Sequence, residues 1–122
     1  MALAYLLDEH LRGPLWWAIR RHNARGSDAI DAVRVGDADA PPFGTGDSEL
    51  LLWAEQAGRI LITFDEHTLP VHLADHLRAG RHSPGIFTIR ATAHLPDLVE
   101  FLVLAAWATE PAEWRDRIAY VP

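Results

Sequence analysis

The sequence predicts an α/β domain whose mostly parallel sheet is covered on both faces. Three observations carry that prediction. Short apolar runs, "LAYLL", "RILITF" and "IFTIR", have the continuous character of strands buried on both sides. Between them lie stretches with apolar residues at three- and four-residue steps, the pattern of repeated strand-helix-strand units. The chain has 122 residues, 49% of them hydrophobic and 23% charged, which suits one folded domain spanning residues 1–122.

Each element follows from local chemistry. Leu3 to Leu7 predicts a first buried strand, stopped by Asp8 and Glu9. From His10 to about Ala24, Leu11, Leu15, Ala18 and Ile19 share one helical face, and Gly26 closes the helix. Ile30, Val33 and Val35 predict a second, more exposed strand between Asp28 and Val35. A loop with two prolines and two glycines, Asp37 to Gly46, then leads into Asp47-Ser48-Glu49, a helix start that runs to about Ala57 and stops at Gly58. Arg59 to Phe64 predicts the next strand, Thr68 to Ala79 a helix ended by Gly80, and Ile86 to Arg90 another strand. Pro96 to Ala108 predicts an apolar helix, and Arg115 to Val121 a final edge strand.

Composition excludes several functions. Lysine and cysteine are both absent, and the 11 basic residues are all arginine. Thiolate chemistry, disulfide scaffolds and any mechanism that requires an ammonium group are thereby ruled out. The formal charge of −6 provides no global attraction for a polyanion, so contact with nucleic acid has to be local. No signal peptide is expected, and the apolar stretch Leu98 to Ala108, interrupted by Glu100, is far short of the roughly 20 residues of a membrane span. A cytoplasmic protein without membrane contact is the expectation.

In an open parallel sheet, ligands bind outside the carboxyl ends of the strands. Asp8-Glu9 follows the first strand, Asp47 and Glu49 open the helix before the third, and Asp65-Glu66 follows that strand. Each acid has a local alternative: Asp47 or Ser48 as a helix cap, Asp65 as a cap for the Thr68 helix, Asp8 as a solvated loop acid. Carboxylates converging on one rim raise each other's pKa unless a cation is present, and an oxygen-only donor set favours Mg2+ or Mn2+. Such an ion fits phosphodiester hydrolysis by metal-activated water.

The series "YLLDEHL", "GTGDSELLLWAEQAGRILITFDEHTLP" and "PGIFTIR", with the closing "EWRDRIAYVP", resembles the PIN-like domains, specifically a short branch related to the ribonuclease toxins of bacterial toxin–antitoxin pairs. The resemblance implies a three-layer α/β/α domain with a metal-dependent ribonuclease site. By position it implies Asp8, Asp47 and Asp65 as metal ligands, with Glu49 beside them in the catalytic set. Relatives often carry a further aspartate where this chain has His67, leaving Glu66 or Glu9 as substitutes. It also implies an RNA substrate and a small antitoxin partner. A catalytically weak or inactive protein-binding module of the same fold is the alternative reading.

Two rival families fit less well. A receiver domain places acids similarly but needs a lysine late in the sheet, and haloacid-dehalogenase-like phosphatases need Asp-x-Asp after the first strand. His72 and His76 have zinc-ligand spacing, but no third ligand accompanies them, so surface histidines are expected. His10 and His67 sit beside the acidic rim as candidates for phosphate contact or water positioning. Arg12, nearest the rim, leads an RNA-backbone set with Arg20, Arg21, Arg25, Arg78, Arg81 and Arg90. Trp16 and Trp17 point about 100° apart on one helix. One is expected to pack inward and the other to offer a surface to an antitoxin chain or to a second copy in a homodimer.

Overall fold

The computed structural model describes residues 2–11 and 13–122, so Arg12 lies outside the described residues. In chain order the strands are β1 (Ala4–Leu7), β2 (Asp31–Arg34), β3 (Ile60–Thr63), β4 (Ile86–Ile89) and β5 (Ile118–Val121). The helices are α1 (Pro14–Asn23), α2 (Asp47–Ala57), α3 (Thr68–Arg78) and α4 (Leu95–Ala108). The described residues thus form a five-stranded, all-parallel sheet in the order β2-β1-β3-β4-β5, between α1 with α4 on one face and α2 with α3 on the other. The three-layer α/β/α expectation holds.

Alternation along the strands builds two cores. Tyr5 and Leu7 of β1 join Ile60, Ile62 and Phe87 against Leu15, Trp16 and Ile19 of α1 and Leu98 and Leu102 of α4. Leu6 points the other way and meets Leu61 and Ile86 under Leu50 and Leu51 of α2 and Leu69 and Leu73 of α3. Burying each such side chain is worth about 1.5–3 kcal/mol. Tyr5 spends its hydroxyl on the carbonyl of Leu102 at 2.7 Å, and burial pushes its pKa up, which keeps that donor protonated.

Several boundaries differ from the sequence expectation, among them β5, which begins at Ile118 and not at Arg115; three others have a local cause. The first helix does not run unbroken from His10: Glu9–Leu11 form one 3-10 turn, and α1 begins at Pro14. Proline has no N–H to continue a helix from the preceding turn but suits a first helical position. β2 is shorter than expected, because the Asn23 side chain both donates to the Ile30 carbonyl and accepts from its N–H, each at 2.8 Å, tying that segment to the end of α1. β3 stops at Thr63, and Phe64 stands 54% exposed instead of closing the strand.

The tryptophan pair divides as expected: Trp16 is 8% exposed and Trp17 57%. The histidine pair does not behave as two surface residues. His76 is 7% exposed, and because a carbonyl can only accept, its Nε2 carries the hydrogen that points at the His82 carbonyl, 2.9 Å away. Glu55 Oε1 lies 3.1 Å from the same nitrogen and has no hydrogen bond of its own, while Glu55 Oε2 accepts from the His82 N–H at 3.2 Å. Asp116 accepts from Ser83 N–H at 2.7 Å and holds His82 Nδ1 at 2.7 Å. This polar network locks the α3–β4 and β5 approaches at the amino ends of the strands, the side of the sheet opposite the acids.

Candidate functional site

The sheet order creates a switch point. β1 is flanked by β2 and β3, and its chain leaves to α1 on one face, whereas β3 leaves to α3 on the other. A crevice therefore opens beyond the carboxyl ends of β1 and β3. Asp8 is the first residue past β1, and its N–H still bonds the Ile62 carbonyl of β3 at 3.0 Å.

Thr63, the last residue of β3, is fully buried, and its hydroxyl joins two of the acids. It donates to Asp8 Oδ2 at 2.9 Å and accepts from the Asp65 N–H at 3.0 Å. Asp8 Oδ1 accepts from the Glu9 N–H at 2.7 Å, so both Asp8 oxygens are oriented by the protein. The solvated-loop reading of Asp8 does not describe it.

Asp47 opens α2, and Gly46 at its cap position gives the helix no side-chain cap, so neither Asp47 nor Ser48 caps it. A carboxylate at a helix N-terminus ordinarily titrates low. The Asp47 pKa is nevertheless raised, first by burial and then by the charges of Asp65 and Asp8, with His72 acting in the opposite direction. His72 reaches in from α3, with Nε2 3.6 Å from Asp47 Oδ2 and Nδ1 3.4 Å from Ser48 Oγ.

Asp65 does cap α3. Its Oδ1 accepts from the N–H groups of His67 and Thr68, both at 2.9 Å, and its Oδ2 accepts from the Thr68 hydroxyl. The hydroxyl bond is the main reason that its pKa falls below the usual carboxylate range. No protein-family model, curated protein or solved structure matches this chain. The site is therefore read from its own geometry.

The remaining expected residues sit farther out. Glu9 Oε1 accepts from the Gly44 N–H at 3.4 Å, tying the 3-10 turn to the loop before α2. Glu66 and His67 turn toward each other at 3.8 Å, and the His67 side chain is 87% exposed. Glu49 and His10 are exposed. Among the described residues, no group of three or more His, Asp or Glu side chains is gathered closely enough to hold a metal ion. Asp8, Asp47 and Asp65 thus lie within range of each other's charge without closing into a ligand set.

The arginine set disperses. Arg20 lies over the Trp16 ring at 5.8 Å, Arg78 is paired with Asp75, and Arg81 faces Glu55 at 3.6 Å on the opposite side of the sheet. Arg90, which follows β4, remains at the carboxyl rim. Sequence reasoning missed Thr63, His72 and the exposed Phe64. Thr63 left a readable signal, a hydroxyl closing an apolar run immediately upstream of an acid. His72 left a weaker one, a position one helical turn beyond Thr68.

Proposed function

We propose that this chain is a metal-dependent endoribonuclease of the PIN-like type, taking Mg2+ or Mn2+ on Asp8, Asp47 and Asp65. The observation that carries the reading is Asp47, an uncapping carboxylate at a helix N-terminus whose ionisation is opposed by burial and by two neighbouring acids. The three acids do not form a closed ligand set as they stand, and a hard cation drawing them together would relieve the repulsion that Asp8 and Asp65 exert on Asp47. When bound, the ion supplies an activated water and neutralises charge that develops on the phosphodiester.

The chain's own groups supply orientation. Thr63 holds Asp8 in place and fixes the backbone of Asp65, and His72 restrains Asp47 from the α3 side. By resemblance of its motifs, the protein is the toxin of a toxin–antitoxin pair, acting on cytoplasmic RNA and held in check by a small antitoxin. Incubation with single-stranded RNA and Mn2+ tests the reading. Cleavage is expected for the wild type and a loss of about a hundredfold or more for Asp47→Asn, given the several kcal/mol that a bound ion contributes. Equal cleavage by Asp47→Asn, or none by the wild type, contradicts it.

A second reading, a binding module on the same fold, is favoured by one specific observation. Both Asp65 oxygens already serve the α3 cap, and His67, standing where relatives often place an acid, faces solvent. Capture of a protein partner that depends on the exposed Trp17, without RNA cleavage, is its signature.

A further inference from the structure

Beside the acidic crevice, on its α1–α4 side, lies a separate cavity of about 260 Å3. Leu11, Ile89 and Leu98 form its apolar interior, and His10, Phe64 and Arg90 stand around it. Its position is set by the same strand ends as the acids. His10 is two residues beyond Asp8, Phe64 immediately precedes Asp65, and Arg90 follows β4, the neighbour of β3. Phe64 is anomalous for a residue adjoining a fully buried strand: it is 54% exposed while Thr63 is inaccessible. The Arg90 guanidinium lies 5.3 Å from the Tyr120 ring, a contact that steadies a cation at the rim.

We propose that this cavity is a nucleobase subsite, in which one unpaired base of an RNA strand stacks on Phe64 and the adjoining phosphate meets Arg90 and His10. The inference deepens the ribonuclease reading and rests on it for the choice of RNA. An apolar cavity with an exposed ring suits the flat face of a base, and stacking of this kind is tolerant of sequence. The Arg90 guanidinium matches a phosphate, with the His10 ring as a hydrogen-bonding neighbour, in a chain whose net charge of −6 gives a polyanion no global attraction. Phe64 directly precedes Asp65 and His10 lies two residues past Asp8, so the cavity adjoins the carboxylates along the same strand ends. A duplex, whose bases are already stacked and paired, has no face to offer.

The test is fluorescence anisotropy of a labelled oligouridylate with the 122-residue chain in EDTA, in an Asp47→Asn background so that the strand stays intact. Phe64→Ala is expected to weaken binding roughly five- to a hundredfold, the range measured for losing one stacked base, while Phe64→Trp keeps it. The same strand made abasic, or annealed to its complement, is expected to bind as weakly as the alanine variant. Circular dichroism checks that the variants fold, as an exposed ring should permit. Unchanged affinity in Phe64→Ala, equal binding of the abasic or duplex strand, or no binding of the single strand overturns the proposal. Binding that depends on Phe64, in a protein that shows no metal-dependent cleavage, upholds the subsite and overturns the nuclease reading alone.

Discussion

Thr63 serves the candidate site through one oxygen, which donates to Asp8 and accepts from the Asp65 backbone. Thr63→Val keeps the shape and removes both bonds, leaving the part-buried Asp65 N–H without this partner. A loss of about 1–3 kcal/mol is expected in urea unfolding. RNA cleavage should fall with it, because the Asp8 carboxylate is no longer oriented; a variant as stable and active as the wild type would show that the hydroxyl is incidental. Asp47 is expected to behave oppositely. A carboxylate whose folded pKa is raised destabilises the native state above that pKa, so Asp47→Asn should raise the Tm of the metal-free protein. The comparison belongs in EDTA, well above the ordinary carboxylate range, where Asp47 is ionised. A lower Tm for Asp47→Asn would mean that Asp47 is a structural residue. Stability given up at one functional position is a common exchange.

At the scale of elements, α3 begins where Asp65 accepts its first N–H groups, although His67 holds the formal cap position. Asp65→Ala should cost about 1 kcal/mol, with Asp65→Ser recovering part of it, as differential scanning calorimetry can measure. The entry to β4 is set by Gly85, whose φ of +128° few other residues adopt, and where a Cβ would sit 2.7 Å from the Trp114 carbonyl oxygen. Gly85→Ala is accordingly expected to destabilise by more than about 1 kcal/mol; a neutral result would mean that β4 and β5 shift apart freely. These elements show what the sequence makes legible. α2 could be read to the residue because Asp47 opens it and Gly58, at φ +67°, closes it. The break at Gly13-Pro14 was legible too, but the apolar spacing across it suggested one continuous helix. The burial of His76 was not legible, since its partners come from α2 and from the turn before β4, far apart in the chain.

For the whole molecule, the order β2-β1-β3-β4-β5 is what turns three separated acids into neighbours. Strand-helix alternation announces the parallel sheet, and the acids at strand ends announce the rim. How closely the three side chains approach depends on rotamers and loop geometry, which no spacing rule encodes. The polar network on the opposite side has a pH consequence. The pKa values of Glu55 and Asp116 in that network, and of Asp65 at the acidic rim, are lowered: Asp65 chiefly by the Thr68 hydroxyl and Glu55 by the His82 N–H. For Asp116, burial pulls upward and is outweighed by hydrogen bonds from His82 and Ser83. Depressed carboxylates stabilise the fold above their ordinary pKa of about 4, and that contribution is lost as pH falls through the lower folded values. Urea midpoints should therefore hold steady from pH 8 to about pH 5 and decline below about pH 4; a rise in that acid range would contradict the assignment. The most direct test of a shared cation is calorimetric titration of the wild type and Asp47→Asn with Mn2+. Saturable binding is expected, with affinity at least about tenfold weaker in the variant, and with a gain of about 2.7 kcal/mol in wild-type stability at 100 times the dissociation constant. No saturable binding by the wild type, or equal binding by both proteins, would contradict a metal held among Asp8, Asp47 and Asp65.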